Sequence, residues 1–284
     1  MELLQLTYFC HSAHSESFSQ VARAFRVPPS SVSLSVKRLE SELGVPLFDR
    51  SANRLFLNEN GKRFLSRAEA ALGLLDSARG ELDAEGELSG EVRILIRAAR
   101  RVIAEKIFEF RLLHPKVTFS IHHKPLSDGT SYHLVVSDAS PRTGHYEELP
   151  LLEEKMMLAV PMGHALAGRK SVPLKELNGE KMIGMTRGCD LREYTDRMCA
   201  KEGILPEISI ECDDPYSIRE YVRIGLGATV FPEISWKGQF DKTVSILSLE
   251  GDFRRQTSIF LSGSAPHAAR EFARFAVCHG IDGL

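Results

Sequence analysis

The 284-residue sequence has no apolar run of about 18 residues and no charged-then-apolar leader, so nothing in it directs the chain into or across a membrane, and a cytoplasmic protein is expected. Cysteine is sparse. Cys10, Cys189, Cys199, Cys212 and Cys278 are odd in number and lack CxxC spacing, which reads as reduced thiols rather than a disulfide framework. Charge of either sign is not in surplus: 36 Lys and Arg face 38 Asp and Glu, a net charge of −2, so bulk basicity does not advertise nucleic acid. Enzyme motifs are missing as well. There is no P-loop, no HExxH and no GxSxG, and Gly225-x-Gly227 lacks the third glycine of a dinucleotide fingerprint. The ten histidines show no ligand spacing, and the adjacent His122 and His123 would point to opposite faces of a strand. No catalysis, metal or cofactor is therefore expected. No repeat or low-complexity tract appears, and the length suits about two domains with proper cores.

What is present is concentrated first in Ser17 to Arg54. Ser17 and Gln20 stand at capping-box spacing ahead of an apolar stripe, Phe18, Val21, Ala22 and Phe25, which Arg26-Val27-Pro28-Pro29 ends. Proline is tolerated in a first helical turn, so a second helix can restart at once, over about Ser30 to Leu43. Val32, Val36, Leu39 and Leu43 give it a core-facing stripe; Ser30, Ser33, Leu34, Lys37 and Ser41 form an opposite face with one cation and no acid. Two short helices joined by a tight turn are a helix-turn-helix, whose second helix enters a DNA major groove. Leu47 to Leu57 reads as two strands and a turn, a wing whose Arg50 and Arg54 meet phosphates. Periodicity alone suits a solvated helical hairpin better than a DNA-binding one. The expected DNA-contacting residues are Ser30, Ser31, Ser33, Leu34, Lys37, Arg38, Arg50 and Arg54.

Ser17, Phe18, Ala22, Val27, Ser33, Val36, Leu39-Glu40, Leu43-Gly44, Leu47-Phe48, Arg50, Leu57 and Gly61 together resemble the winged helix-turn-helix of LysR-type transcriptional regulators. Further along, EEKMMLAVPMGHALAGRKSVPLKEL and SIREYVRIGLGATVFPE resemble parts of that family's effector domain. The resemblance implies two periplasmic-binding-protein-like lobes, joined by crossing strands, with a small molecule between them. It also implies a homodimer or homotetramer, a double-stranded DNA operator and a possible contact with RNA polymerase.

The rest of the chain suits that architecture. A first helix over Met1 to Ala13 would close the head's core with Leu3, Leu6, Phe9, Cys10 and Ala13. Asn58 should cap a helix reaching about Leu82, in which Leu65, Ala68, Leu72, Leu75 and Leu82 make a heptad seam broken at Arg79. That seam reads as a dimer contact, and the polar stretch Asp83 to Gly90 as a hinge. Beyond it, strands and helices alternate: Val92 to Ile96, Val102 to Leu113, Val117 to His122, His133 to Ser137, then Lys155 to Val160 onward. The expected fold is α+β and α/β multidomain: a winged helix-turn-helix over 1–58, linker helix and hinge over 59–90, and a two-lobed α/β effector domain over 91–284. Lobe 1 is drawn at 91–152 and 257–284, lobe 2 at 153–256.

Three departures from the family pattern carry information. Where the recognition helix usually opens with Ser-Gln-Pro and carries an Arg after its Ser, this chain has Pro28-Pro29-Ser30 and Leu34, so a different operator or more shape reading is expected. Between Lys124 and Tyr132 there is no room for the family's usual helix, and His133 replaces the Asp that opens the next strand, so lobe 1 looks trimmed. The loop that usually bears small hydroxyl residues reads Arg97-Ala98-Ala99-Arg100-Arg101; its arginines either receive an anion or are merely salt-bridged. Thr186-Arg187-Gly188-Cys189 is the stronger pocket candidate, and Ser137 a weaker one. The effector-binding set is thus Arg97, Arg100, Arg101, Ser137, Thr186, Arg187 and Cys189, for a small anionic effector. Alternatives are effector-independent control, or redox control through Cys189 and Cys199, although Asp190 holds the position of the sensing cysteine in peroxide-sensing relatives.

Overall fold

The computed structural model describes residues 1–51, 54–82, 87–126, 131–141 and 146–278; the side chains of residues 50, 51, 54, 77, 81 and 82 lie outside that description. Helices α1 (Leu3–Ser15), α2 (Phe18–Phe25) and α3 (Pro29–Leu43) enclose the first core. The Ser17 hydroxyl accepts the Gln20 N–H at 3.3 Å and closes the start of α2, and Arg26 turns the chain in the left-handed region (φ 54°) toward Pro28. Val32, Val36 and Leu39 are fully buried, as their spacing requires. Leu6, Phe9, Cys10 and Ala13 join them, whereas Leu3, expected inside, is exposed. Strands β1 (Phe48–Ser51) and β2 (Arg54–Leu57) pair antiparallel as the wing. Its base is tied to α3 by the Glu40 carboxylate, which accepts the Leu47 and Phe48 N–H groups at 2.8 and 3.2 Å.

Asn58 caps α4 (Glu59–Leu82) as expected, its Oδ1 accepting the Gly61 N–H at 2.9 Å. The heptad seam has a different use over its first half. Ala68 is buried and Leu65 and Leu72 are partly buried in the head's own core, because α1 lies along that side of α4. Leu74 and Leu75 are exposed. Of the hinge, Asp83-Ala84-Glu85-Gly86 lie outside the described residues, as does the Leu82 side chain.

The second domain runs β3 (Gly90–Ile96), α5 (Arg100–Leu113), β4 (Val117–His122), β5 (Leu134–Ser137), β6 (Tyr146–Pro161), β7 (Ser171–Pro173) and a 3-10 turn (Leu174–Leu177). There follow β8 (Lys181–Met185), α6 (Asp190–Lys201), β9 (Glu207–Cys212), α7 (Pro215–Arg223), β10 (Thr229–Pro232), β11 (Val244–Glu250), β12 (Arg254–Ser262) and α8 (His267–Cys278). Eight strands form one sheet in the order β4-β3-β5-β12-β6-β11-β7, with β10 also on β6, while β8 and β9 pair separately. Strand β6 is far longer than expected. Its first part, Tyr146 to Lys155, pairs with β12, and its second part pairs with β10 and β11, so β6 crosses from one lobe to the other. Pro150 and four glutamates hide the first part from a pattern reading; the register shift beside Pro150 accommodates its missing N–H. One core gathers Ile94, Phe110, Leu134, Ile259 and Phe272, and the other Met156, Leu158, Leu177, Met198 and Leu247.

Among the described residues no helix lies between β4 and β5. His133 opens the latter: its Nδ1 accepts the Arg93 N–H at 3.1 Å, and the Arg93 guanidinium lies 3.0 Å from Nε2. Burial, with the Arg93 charge, pushes its pKa down to about 4. Helix α4 lies against the second domain through glycines seven residues apart. A Cβ on Gly73 would stand 2.5 Å from the Ser264 carbonyl, and one on Gly80 2.5 Å from the His267 ring. Between them the Asp76 carboxylate accepts the His267 N–H at 3.4 Å, at the start of α8.

Gly73→Ala should therefore lose about 1–3 kcal/mol by thermal denaturation through overpacking, reversing the gain of about 1 kcal/mol that alanine brings to an open helical site. His133 binds its proton less readily in the folded chain than at its ordinary pKa of 6.5. Its contribution to stability is thus fully present above pH 6.5 and is lost as the pH falls toward 4. Urea denaturation of His133→Asn should show a shallower loss of stability than the parent across that window.

Candidate functional site

The outward face of α3 carries Ser30, Ser31, Leu34, Lys37 and Arg38, all exposed, with Ser33 half-buried. The buried stripe behind fixes the direction of this face, and Glu40 is turned away toward the wing. Lys37 and Arg38 make no ion pair among the described residues. Arg50 and Arg54 stand on the paired wing strands, one register step apart, but their side chains lie outside the described residues. This helix face, whose neighbouring exposed acid Glu42 is held by the N-terminal amine, suits a duplex groove beside a two-stranded wing.

The concave feature is a cavity of about 510 Å³ between the lobes. One wall is the end of β3, the loop Arg97–Ala99, the first turns of α5 and His123–Pro125; the other is Gly188–Leu191, the start of α7 and Trp236. Arg255 of β12 also lines it. The walls are tied together. From lobe 1, Arg97 donates through Nε to Asp190 at 2.7 Å and through Nη2 to the Gly188 carbonyl at 2.8 Å, and the Ser137 hydroxyl donates to Asp190 at 2.6 Å. Burial alone would raise the Asp190 pKa. The bonds from Ser137 and Arg97, and the Arg97 charge, outweigh it and hold the carboxyl below the usual range. Asp138 pairs with Arg255 at 2.8 Å; burial and the nearby Asp190 charge together raise its pKa against the pull of Arg255. Lys124 pairs with Asp213 across the mouth, and Arg101 donates to the Ile234 carbonyl at 2.9 Å and pairs with Glu105.

Of the expected effector residues, Arg97, Arg100, Arg101 and Cys189 line the cavity. Ser137 is buried beneath it and serves to hold Asp190. Thr186 and Arg187, thought the stronger candidates, are not on its wall. Thr186 is fixed in the turn after β8 by its N–H to the Cys212 carbonyl at 3.0 Å and by accepting the Cys189 N–H, so only Gly188 and Cys189 reach the cavity. Sequence reasoning missed Arg219, Tyr216, Asp214 and Trp236. Arg219 lies 5.2 Å over the Trp236 ring and 5.9 Å over Tyr216, and Asp214 caps α7 by accepting the Ser217 N–H and hydroxyl. Asp214-Pro215, an N-cap followed by proline, was the signal that a helix begins facing the cleft.

The thiols do not form a ready pair. Cys199 is buried in the lobe core, and burial, with Asp196 nearby, pushes it up to about 11. It lies ten positions along α6 from Cys189, roughly 15 Å at 1.5 Å per residue, so a disulfide would require the helix to unwind. Among the described residues no cluster of His, Cys, Asp and Glu could hold a metal, and no helix is long and apolar enough to cross a membrane.

Comparison with known proteins joins the two features. Residues 3–62 match the bacterial regulatory helix-turn-helix protein, lysR family, and residues 85–280 the LysR substrate binding domain. The transcriptional dual regulator GltC of Bacillus subtilis is 30% identical over 82% of this chain and 81% of its own length. The regulator YybE of the same organism is 28% identical over 82% and 83%. A full-length OxyR variant of Pseudomonas aeruginosa, 20% identical, covers 99% of this chain and 96% of its own at a TM-score of 0.80, which shows the fold.

Asp190→Ala should cost about 3 kcal/mol in urea denaturation, since it leaves Arg97 facing a vacated, buried site. Ser137→Ala, which removes one hydrogen bond to a charged group, should cost about 1.5 kcal/mol.

Proposed function

The chain belongs to the LysR family of transcriptional regulators, and on that premise we propose that it acts in the cytoplasm, without catalysis, as a homodimer or homotetramer whose grip on an operator answers to a small anion in the interlobe cleft. The observation that carries this reading is an exposed helix face with two cations, Lys37 and Arg38, unpaired among the described residues, in the same chain as a cleft lined by guanidinium groups. Helix α3 lies in the major groove with Ser30, Ser31 and Ser33 toward base edges and Leu34 against a thymine methyl; Lys37, Arg38, Arg50 and Arg54 face phosphates. Exposed Leu74 and Leu75 of α4 supply the dimer seam, and two heads set one helical turn apart read an inverted repeat. A ligand that favours one lobe angle shifts the population of head spacings, and a regulator so placed can touch RNA polymerase. A second reading, effector-independent control, is favoured by the ion pairs of Arg97 with Asp190 and Lys124 with Asp213, which join the walls of the cleft without a ligand.

Gel-shift titrations against a set of operator variants and at several salt concentrations test the head. Lys37→Ala should weaken binding to all sequences alike and flatten the slope of log affinity against log salt by about one. Ser33→Ala should reorder the variants. Uniform losses for both substitutions would remove the division between phosphate and base contacts.

A further inference from the structure

The cavity presents a mixed wall. Ile96, Ile107, Ile121, Met185 and Trp236 give it an apolar surface, and six cations line it. Four of these are already paired: Arg97 with Asp190, Arg101 with Glu105, Lys124 with Asp213 and Arg255 with Asp138. The remaining two, Arg100 and Arg219, make no hydrogen bond or ion pair among the described residues. They come from opposite lobes, on α5 and α7, and line the same cavity. The acid that both feel is Asp214, whose oxygen is engaged in capping α7. Arg100 also feels Asp213 and Arg219 also feels Glu220, but Lys124 and Arg223 pair with these acids, so among the described residues two cations face one unmatched acid and one positive charge is in surplus. Burial already presses on both guanidinium groups, lowering their pKa values, so a further anion there relieves a real cost. Arg219 lies over the Trp236 ring, which leaves its edge donors for a planar partner.

We propose that the cleft binds an organic monocarboxylate with an apolar body, its carboxylate received by Arg100 and Arg219 from opposite lobes and its body against Ile96, Ile107 and Ile121, beside Trp236. This rests on reading the cleft as the effector site. The single surplus charge selects one carboxylate over two, because a second would be buried without a partner. The apolar wall selects against acetate or inorganic phosphate, which offer no body to cover it. A carboxylate also suits the two forks better than a neutral amide, since charge-assisted hydrogen bonds are about twice as strong as neutral ones.

Trp236 is the only tryptophan of the chain and so reports the cleft directly. Its fluorescence in the full-length protein can be titrated with cyclohexanecarboxylate, cyclohexanecarboxamide, cyclohexane-1,4-dicarboxylate, acetate and phosphate, none of which absorbs where tryptophan is excited. The monocarboxylate should give a saturable change, with the amide, the dicarboxylate, acetate and phosphate each at least tenfold weaker. Arg100→Met and Arg219→Met should each weaken the monocarboxylate at least tenfold, and Arg100→Lys and Arg219→Lys by less; circular dichroism and the operator gel shift check that each variant folds. Equal binding of the amide, or no loss in the methionine variants, would overturn the clasp. Tighter binding of dicarboxylate or phosphate that Arg100→Met abolishes would overturn the ligand class while leaving the cleft as effector site. If no probe changes Trp236 emission or the gel shift, both the clasp and the effector reading fall.

Discussion

At the point where β6 and β12 pass between the lobes, two buried charges face each other across the strands: Glu154 and Arg255, in register and each 2% exposed. A charge so placed is tolerable only with partners, since moving an ion out of water costs several kcal/mol even after relaxation. Each finds its partner in a different lobe. Glu154 accepts the N–H and hydroxyl of Ser235, at 2.7 and 2.6 Å, on the lobe 2 side, and Arg255 turns to Asp138 in lobe 1. Next to Asp138 in the chain, Ser137 donates to Asp190, which Arg97 also holds from lobe 1 although it opens α6 in lobe 2. The polar chain thus starts in lobe 2, crosses the strands into lobe 1 and returns across the cleft. Such a network specifies one relative arrangement of the lobes more than it adds net stability, because an apolar replacement of similar volume is often as stable.

That arrangement decides what the cleft can recognise. With Arg97, Arg101, Lys124 and Arg255 committed to protein acids, the arginine-rich loop after β3 is mostly framework, and only Arg100 remains for a guest. Helix α5 begins after Ala99, in the left-handed region at φ 52°, with no side chain capping its first turn. The hydroxyl groups that could cradle an anion at this helix start are absent, and guanidinium groups from both lobes stand in their place. In the proposed clasp, recognition is by charge and fork geometry rather than by oriented hydroxyls, which makes it sensitive to how many charges a ligand brings.

Much of this was legible in the residues, and the illegible part has a common cause. The helix-turn-helix, the Asn58 cap and the strand-helix alternation are local: Val32, Val36 and Leu39 declare their stripe within eight residues. The first half of β6 was not, because Pro150 and its flanking glutamates read as loop until β12 pairs with them. The spacing of Leu65, Ala68, Leu72, Leu75 and Leu82 reads as a dimer seam throughout, because nothing in it reveals that α1 lies on the first three. The site divides the same way. Arg100 could be found from an unusual run in a familiar place, whereas Arg219 lies more than a hundred residues on and acquires its meaning from Trp236 and from the opposite lobe. Thr186 had the right chemistry and the wrong direction, which one backbone bond to Cys212 settles.

The same distinction bears on how a cleft could speak to a DNA-binding head. Glycine inside a helix is unfavourable by about 1 kcal/mol relative to alanine, so Gly73 and Gly80 make sense only where something must approach the helix closely. What approaches is the turn at Ser264 and the start of α8. Helix α8 is bound into the core of lobe 1 through Ala269 and Phe272, whose ring packs edge-on against Phe110 of α5 at 5.3 Å. Head, linker helix and lobe 1 are therefore joined by continuous packing, while lobe 2 is attached through the two crossing strands, the polar network, the Lys124–Asp213 and Arg101–Ile234 contacts and a small apolar cluster of Ala99, Val102 and Ile234. A change in lobe angle is then a movement of lobe 2 against a body that already includes the head. In the proposed function, its effect on DNA passes through whatever lobe 2 touches in the oligomer, which puts subunit contacts, rather than a bend within one chain, on the route from cleft to operator.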